Sequence, residues 1–316
     1  MRRSFVVLVT LLVSTQAFAL SNRCFVKSTG LDTGTCTLSS PCRSFGYALT
    51  QVSAFGEVIA LDTAGYGTFS VTQSVNVYAP NGITAFIAVN AGTGIDINAA
   101  SSDSVVLRGL ALTSNGGLTG IDFNGGRSLS IENCIVNGFG NQGVQLARAS
   151  DPSNPHIRIE GSTIRGNFQG VRTGNSGDAP PQGGPPPGIA GLTIVNSSLS
   201  ENSFGISAAD NTRAAVIDTV ISGNAIGVSA QSSTQLSFPD VTLERCTITQ
   251  SASAGVQSIS AGAFVRIAYN VITGNATGVS EGGGGVIASM NTGAGGTNTI
   301  EGNATNGTFS GSYTAK

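Results

Sequence analysis

Leu107-Arg-Gly-Leu-Ala-Leu112, Ile131-Glu-Asn-Cys-Ile-Val136, Ile159-Glu-Gly-Ser-Thr-Ile164, Ile194-Val-Asn-Ser-Ser-Leu199, Val216-Ile-Asp-Thr-Val-Ile221, Leu243-Glu-Arg-Cys-Thr-Ile248 and Ile267-Ala-Tyr-Asn-Val-Ile272 are seven versions of one segment. Their last apolar residues recur at intervals of 24, 28, 35, 22, 27 and 24 residues, a period that marks a solenoid. Most versions are followed by an Asn (Asn115, Asn167, Asn202, Asn224, Asn275). All then reach a Gly-Val or Gly-Ile pair: Gly120-Ile121, Gly143-Val144, Gly170-Val171, Gly205-Ile206, Gly227-Val228, Gly255-Val256 and Gly278-Val279. Apolar residues two apart read as strand, and the Asn and Gly between runs supply positive-φ corners. The reading is three short strands per turn.

One such turn cannot stand alone. Ordering its residues costs roughly 1–2 kcal/mol each, while each inward Val, Ile or Leu returns about 1.5–3 kcal/mol. Stacking turns about 4.8 Å apart pairs every backbone with its neighbours and lays like residues on like residues in columns. The Asn column is expected to form a side-chain ladder at a corner. The composition agrees: Gly supplies 44 residues, Trp none, and 40% of the chain is apolar, too much for disorder and too poor in helix formers for a helical fold. Charged residues are 10% of the chain and the net charge is −2, which gives no basic field for a nucleic acid.

The first nineteen residues read as an export signal: Arg2 and Arg3, an apolar run from Phe5 to Val13, and Ala17-Phe18-Ala19 as a small-x-small cleavage site. Residues 20–56 read as an N-terminal cap and 57–316 as the helix of strands. No later stretch is apolar enough to span a bilayer, so the mature chain is expected outside the cytoplasm, extracellular or periplasmic. A short α-helix around Phe45, Ala48, Leu49 and Val52, started by Ser44, is expected to cover the N-terminal end of the stack.

Five cysteines in an exported chain invite a disulfide. Cys134 and Cys246 share a column four turns apart, nearly 20 Å at about 4.8 Å per turn, beyond disulfide reach, and read as small buried residues. Cys36 with Cys42, which bracket a short loop, is the favoured pair, with Cys24 to Cys36 as the alternative.

The repeat resembles that of the right-handed parallel β-helix proteins of the pectate-lyase superfamily, over nearly all of the chain from about Glu57. Arg23-Cys24-Phe25-Val26, Pro41-Cys42-Arg43-Ser44-Phe45, Glu57-Val58-Ile59-Ala60-Leu61-Asp62 and Gly302-Asn303-Ala304-Thr305-Asn306-Gly307 resemble a narrower group of secreted bacterial β-helix proteins. In pectate-lyase-like enzymes the outer face of one strand column carries the site, and the resemblance points to the column that begins at each Gly-Val pair. Its outward residues are Asp122, Gln145, Arg172, Ser207, Ser229, Gln257 and Ser280, one per turn, about 5 Å apart. Only the first three form a strip with charge. The insertions that follow Val144 and Val171 stand beside it and bring Arg148 and Asp178.

The strip carries a carboxylate beside a cation; elimination from a uronide needs a base for the α-proton and a cation or metal to stabilise the enolate, and Arg is a base only in an unusual environment. Against an enzyme stand the missing Asp-Asp pair and Gly-His-Gly of polygalacturonase-like hydrolases, and a single Asp where pectate lyases cluster several acidic calcium ligands. No cofactor is implied, and calcium lacks support. A second exposed column, Arg108, Glu132, Glu160, Val195, Ile217, Glu244 and Ala268, sets Glu132 and Glu160 on adjacent turns, near the spacing of a retaining glycosidase pair, but Arg108 is placed to engage Glu132. His156, the one histidine, reads as a solvated loop residue. The expectation is a noncatalytic extracellular protein that binds a polysaccharide or cell-surface glycan, with a carbohydrate-active lyase or hydrolase as the alternative.

Overall fold

The computed structural model describes residues 20–146, 154–174, 190–209, 211–232, 238–290 and 298–313; the expected export signal lies outside them. The strands form three parallel sheets. The first has twelve strands, from Ser21–Val26 to Gly311–Tyr313; the second ten, from Ala64–Gly65 to Thr299–Ile300; the third nine, from Phe69–Val71 to Thr277–Glu281. One turn visits all three, as in Ser128–Glu132, Ile135–Asn137 and Gln142–Leu146.

Register follows the repeat residue by residue. Ile131 stands opposite Leu107 on one side and Ile159 on the other, and Val136 opposite Leu112 and Ile164. Inward columns result: Leu107, Ile131, Ile159, Ile194, Val216, Leu243 and Ile267 are all fully buried. Each such side chain contributes about 1.5–3 kcal/mol, and the ladder satisfies the backbone groups that burial would otherwise orphan.

Two corners explain the polar residues inside this stack. After the first sheet, Gly109, Asn133, Gly161, Asn196, Asp218, Arg245 and Tyr269 all have positive φ; after the second, Gly138, Gly166, Glu201, Gly223, Gln250, Gly274 and Gly302 do. The residue after each left-handed position turns inward, and most of them donate their N–H to the side chain of the counterpart one turn on. At the second corner the Asn167 amide N–H donates to Asn202 Oδ1 at 2.9 Å, and that of Asn202 to Asn224 Oδ1 at 2.9 Å. Asn202 Nδ2 caps the Ile164 carbonyl at 3.2 Å. Asn275 and Asn303 continue the ladder beyond Ser251. Asn115, expected in this ladder, is exposed.

Cys134 and Cys246 belong to the other corner column: Cys134 N–H donates to Ser162 Oγ at 3.1 Å and Cys246 N–H to Asn270 Oδ1 at 2.9 Å. Burial pushes their thiols up to about 12 and about 11.

The glycines of the Gly-Val pairs serve a different purpose from the expected one. Gly205 and Gly227 lack positive φ; a Cβ on them would lie 2.5 and 2.4 Å from the carbonyl oxygen of the next glycine in the column. Close approach of successive turns, rather than left-handed backbone, excludes a side chain there.

At the N-terminal end the α-helix Phe45–Gln51 starts at Ser44, whose Oγ accepts from Tyr47 N–H at 3.2 Å. Phe45 packs against Tyr66 and Phe69 with ring centroids 5.0 and 5.3 Å apart. Val52 is buried but opens the strand Val52–Ala60 instead of ending the helix. Cys36 and Cys42 are joined by a disulfide. Cys24 is a buried free thiol, pushed up to about 11 by burial.

Candidate functional site

The third sheet holds its outward column in continuous register. Asp122 stands between Asp96 and Gln145, and Arg172 between Gln145 and Ser207. Ser229, Gln257 and Ser280 follow in order. Beside this column runs another, Thr119, Gln142, Gln169 and Phe204, in which Thr119 and Gln169 are buried and Gln142 and Phe204 half-buried. Hydrogen bonds tie the two together: Gln142 Nε2 donates to Gln169 Oε1 at 3.1 Å, and Arg172 Nη1 donates to the same oxygen at 3.2 Å. Gln169 is thus an acceptor hub that orients the guanidinium.

The column does not pair its charges. Gln145 separates Asp122 from Arg172, so their Cα atoms are about 9–10 Å apart at two sheet spacings. Gln145 itself is only 9% exposed, and its amide donates to the Gly174 carbonyl at 3.3 Å. It joins the strip as a filled position more than a free contact. Asp122 Oδ1 is buried without a partner among the described residues. Burial is the main influence that raises its carboxyl above the ordinary range; the Asn124 side-chain amide partly offsets this, and the neighbouring Asp96 charge adds to it. Burial lowers Arg172, and no carboxylate pairs with it among the described residues.

Two features escape the seven-segment reading. Asp96 gives the column a second carboxylate, with Asn124 Nδ2 donating to Asp96 Oδ1 at 3.0 Å. The signal was available: Thr93-Gly-Ile-Asp-Ile-Asn98 and Thr119-Gly-Ile-Asp-Phe-Asn124 are the same hexapeptide but for one residue. Phe168 and Phe204 form an edge-to-face pair with centroids 6.0 Å apart, next to Gln169, and Phe168 is 51% exposed. Aromatic faces beside polar hydrogen-bonding groups make an amphipathic surface. The position immediately before Gln169 carries no pattern that predicts it.

Arg148 and Asp178 lie outside the described residues. A third insertion, after Val228, matches in length the one after Val144. The carboxylates of the second exposed column are engaged: Arg108 Nε meets Glu132 Oε2 at 2.8 Å, and Arg158 Nε meets Glu160 Oε2 at 2.9 Å. They do not form a free acid pair. Asp96 and Asp122 are two carboxylates where calcium takes six to eight oxygens, and among the described residues no group of three or more His, Cys, Asp or Glu gathers.

The model of the right-handed β-helix region family matches residues 119–305. Among solved structures, the crystal structure of pectate lyase Pel9A superimposes with a TM-score of 0.61 at 13% identity, covering 83% of this chain and 71% of that one. A Geobacillus virus E2 protein, ORF18, gives a TM-score of 0.43 at 12% identity over 87% of this chain and 59% of that one. No curated protein matches the sequence.

Proposed function

Given that the chain belongs to the right-handed β-helix family, with a fold of pectate-lyase type, we propose that it is an exported, noncatalytic protein that binds a polysaccharide or cell-surface glycan. Residues 1–19 are its export signal, residues 20–56 its cap, and it works outside the cytoplasm, extracellular or periplasmic. Among the described residues no helix is long and apolar enough to cross a membrane. Nucleic acid is not its partner, because the chain has no basic field.

The observation that carries this reading is the outer face of the third sheet from Asp96 to Phe204. There the Gln142–Gln169–Arg172 hydrogen-bonded row lies beside the Phe168–Phe204 pair. Sugar hydroxyls are met by the half-buried Gln142 amide and Arg172 guanidinium, which the buried Gln169 orients, and the apolar face of a sugar ring by Phe168. Arg148 and Asp178, carried by the insertions, add contacts in this proposal. No cofactor is required.

The second reading, a polysaccharide lyase or glycosidase, has Asp122 in its favour, since a buried carboxyl raised above its usual range is suited to donate a proton. Against it stands Arg172, whose guanidinium is turned to Gln169 Oε1 at 3.2 Å. Incubation with acidic and neutral polysaccharides, following retention, reducing ends and unsaturated-uronate absorbance together, separates the two. Retention without product is expected; product that disappears in Arg172→Ala overturns the noncatalytic reading.

A further inference from the structure

The corner that leads into the third sheet breaks the repeat on three consecutive turns. From the strand Thr93–Asn98 onward, the residue before each third-sheet strand is Gly92, Leu118, Asn141, Phe168, Ser203, Ala225, Ser253 and Ala276 in succession. Leu118, Asn141 and Phe168 alone are larger than Ser, and they fall on the turns that carry Asp122, Gln145 and Arg172. Backbone hydrogen bonds fix their order. Asn141 N–H donates to the Leu118 carbonyl at 2.9 Å, and Gln169 N–H to the Asn141 carbonyl at 2.8 Å, so the three leave the stack on successive turns about 4.8 Å apart. Leu118 and Phe168 are each 51% exposed, and Asn141 is exposed between them.

The Gln142 and Gln169 amides are engaged with each other and with Thr119 and Arg172. The Asn141 side-chain amide makes no hydrogen bond among the described residues, so its oxygen and both its N–H groups face solvent ready for a ligand. Leu118 leans toward it: Leu118 Cδ2 lies 3.8 Å from where a Cβ on Gly140 would be. An amide with an aliphatic side chain on one turn and an aromatic ring on the other matches a ligand group that joins an amide to a methyl and to a saturated ring. The acetamido substituent of an amino sugar is such a group. Its N–H and C=O pair with Asn141, its methyl lies against Leu118, and the ring that carries it lies on Phe168, which Phe204 holds edge to face. The two insertions depart from the opposite ends of these strands, after Leu146 and Thr173, about 13 Å along the strand from the corner.

We propose that this corner is an acetamido subsite and that the glycan held by the third sheet contains N-acetylhexosamine. The proposal rests on the reading of that sheet as a glycan-binding face and adds to it the class of sugar. A plain hexose carries a hydroxyl where the acetamido group stands and leaves Leu118 and Asn141 without contacts.

The test is isothermal titration of the full chain with an N-acetylglucosamine tetramer, a glucose tetramer of the same linkage and a blocked alanine tripeptide. The acetylated tetramer is expected to bind about tenfold more tightly than the glucose tetramer. Asn141→Asp, which keeps the shape and removes the donor, weakens the acetylated tetramer about tenfold, and Leu118→Ala weakens it several-fold. Neither variant alters the affinity for the glucose tetramer or the melting temperature. The tripeptide, which offers the same amide and methyl on a peptide, does not bind. Equal affinity for the two tetramers, or an unchanged affinity of Asn141→Asp for the acetylated one, overturns the proposal while the glycan reading stands. Binding of the tripeptide as tight as that of the acetylated tetramer overturns it too. Binding of neither tetramer also overturns it, and retention on the polysaccharide panel then decides the glycan reading separately.

Discussion

The turns that carry Asp96, Asp122, Gln145 and Arg172 and those that carry Ser207, Ser229, Gln257 and Ser280 are alike inside and unlike outside. Their inward residues, Ile95, Ile121, Val144 and Val171 against Ile206, Val228, Val256 and Val279, are all no more than 1% exposed. Their outward residues pass from acidic, through amide and guanidinium, to short hydroxyls and one Gln, where Gln257 Nε2 donates to Ser229 Oγ at 2.9 Å. The inward column sets register, because a slip would put a different residue into the stack. The outward column is free of that demand, so chemistry can concentrate at one end of a regular structure. Function in this solenoid is read from the departure from the repeat, and fold from the repeat itself.

The largest effect is expected where the two regions are the same. Asn202→Leu strips the acceptor from the Asn167 amide and the donor from the Ile164 carbonyl. Two buried groups left unpaired cost about 1–3 kcal/mol each, so urea unfolding should show a loss of about 3 kcal/mol or more. A change under about 1 kcal/mol would mean that the ladder is decoration.

The next effect belongs to the polar end alone. Arg172→Ala is expected to reduce glycan retention about tenfold or more, while stability stays within about 1 kcal/mol, since the guanidinium gives up one side-chain hydrogen bond to Gln169. Co-sedimentation and a urea melt on the same sample separate the two quantities.

A smaller effect comes from pH. The Asp122 carboxyl stands above its usual range in the folded chain, chiefly through burial. Its contribution to stability is therefore complete below the ordinary carboxylate range and is lost as pH rises through the raised value. Asp122→Asn should be more stable than wild type at neutral pH, with the gap closing on acidification. Thermal melts across that range check the sign, and a gap that widens in acid contradicts it. The smallest effect is expected at the plain end: Ser229→Ala should leave glycan retention unchanged and stability within about 1 kcal/mol.

The inward columns were legible because apolar residues two apart, repeated at one period, admit few other folds. The reason for the Gly-Val glycines was not. Residue type does not distinguish a glycine needed for positive φ from Gly227, needed because the next turn passes 2.4 Å from where its Cβ would be. The left-handed corner residues Glu201, Arg245, Gln250 and Tyr269 were equally hidden, since stacking on neighbouring turns holds them in a conformation their side chains do not favour. At the candidate site, Asp122, Gln145 and Arg172 were found by counting from each Gly-Val pair, and counting one turn earlier would have found Asp96. That Gln145 is enclosed and that Asp122 and Arg172 stay apart are facts of packing and spacing that a column of letters does not display. The Phe168–Phe204 pair depends on ring orientation across two turns and has no counterpart in the repeat.

The central claim is that the third sheet binds a glycan at its charged end and performs no chemistry on it. The most direct test is a comparison of wild type, Arg172→Ala and Ser229→Ala for retention on a polysaccharide panel, with reducing ends and unsaturated uronate followed in the same tubes. The account predicts retention by wild type and Ser229→Ala, loss in Arg172→Ala, and no product in any tube; equal retention by all three proteins, or product that depends on Arg172, would contradict it.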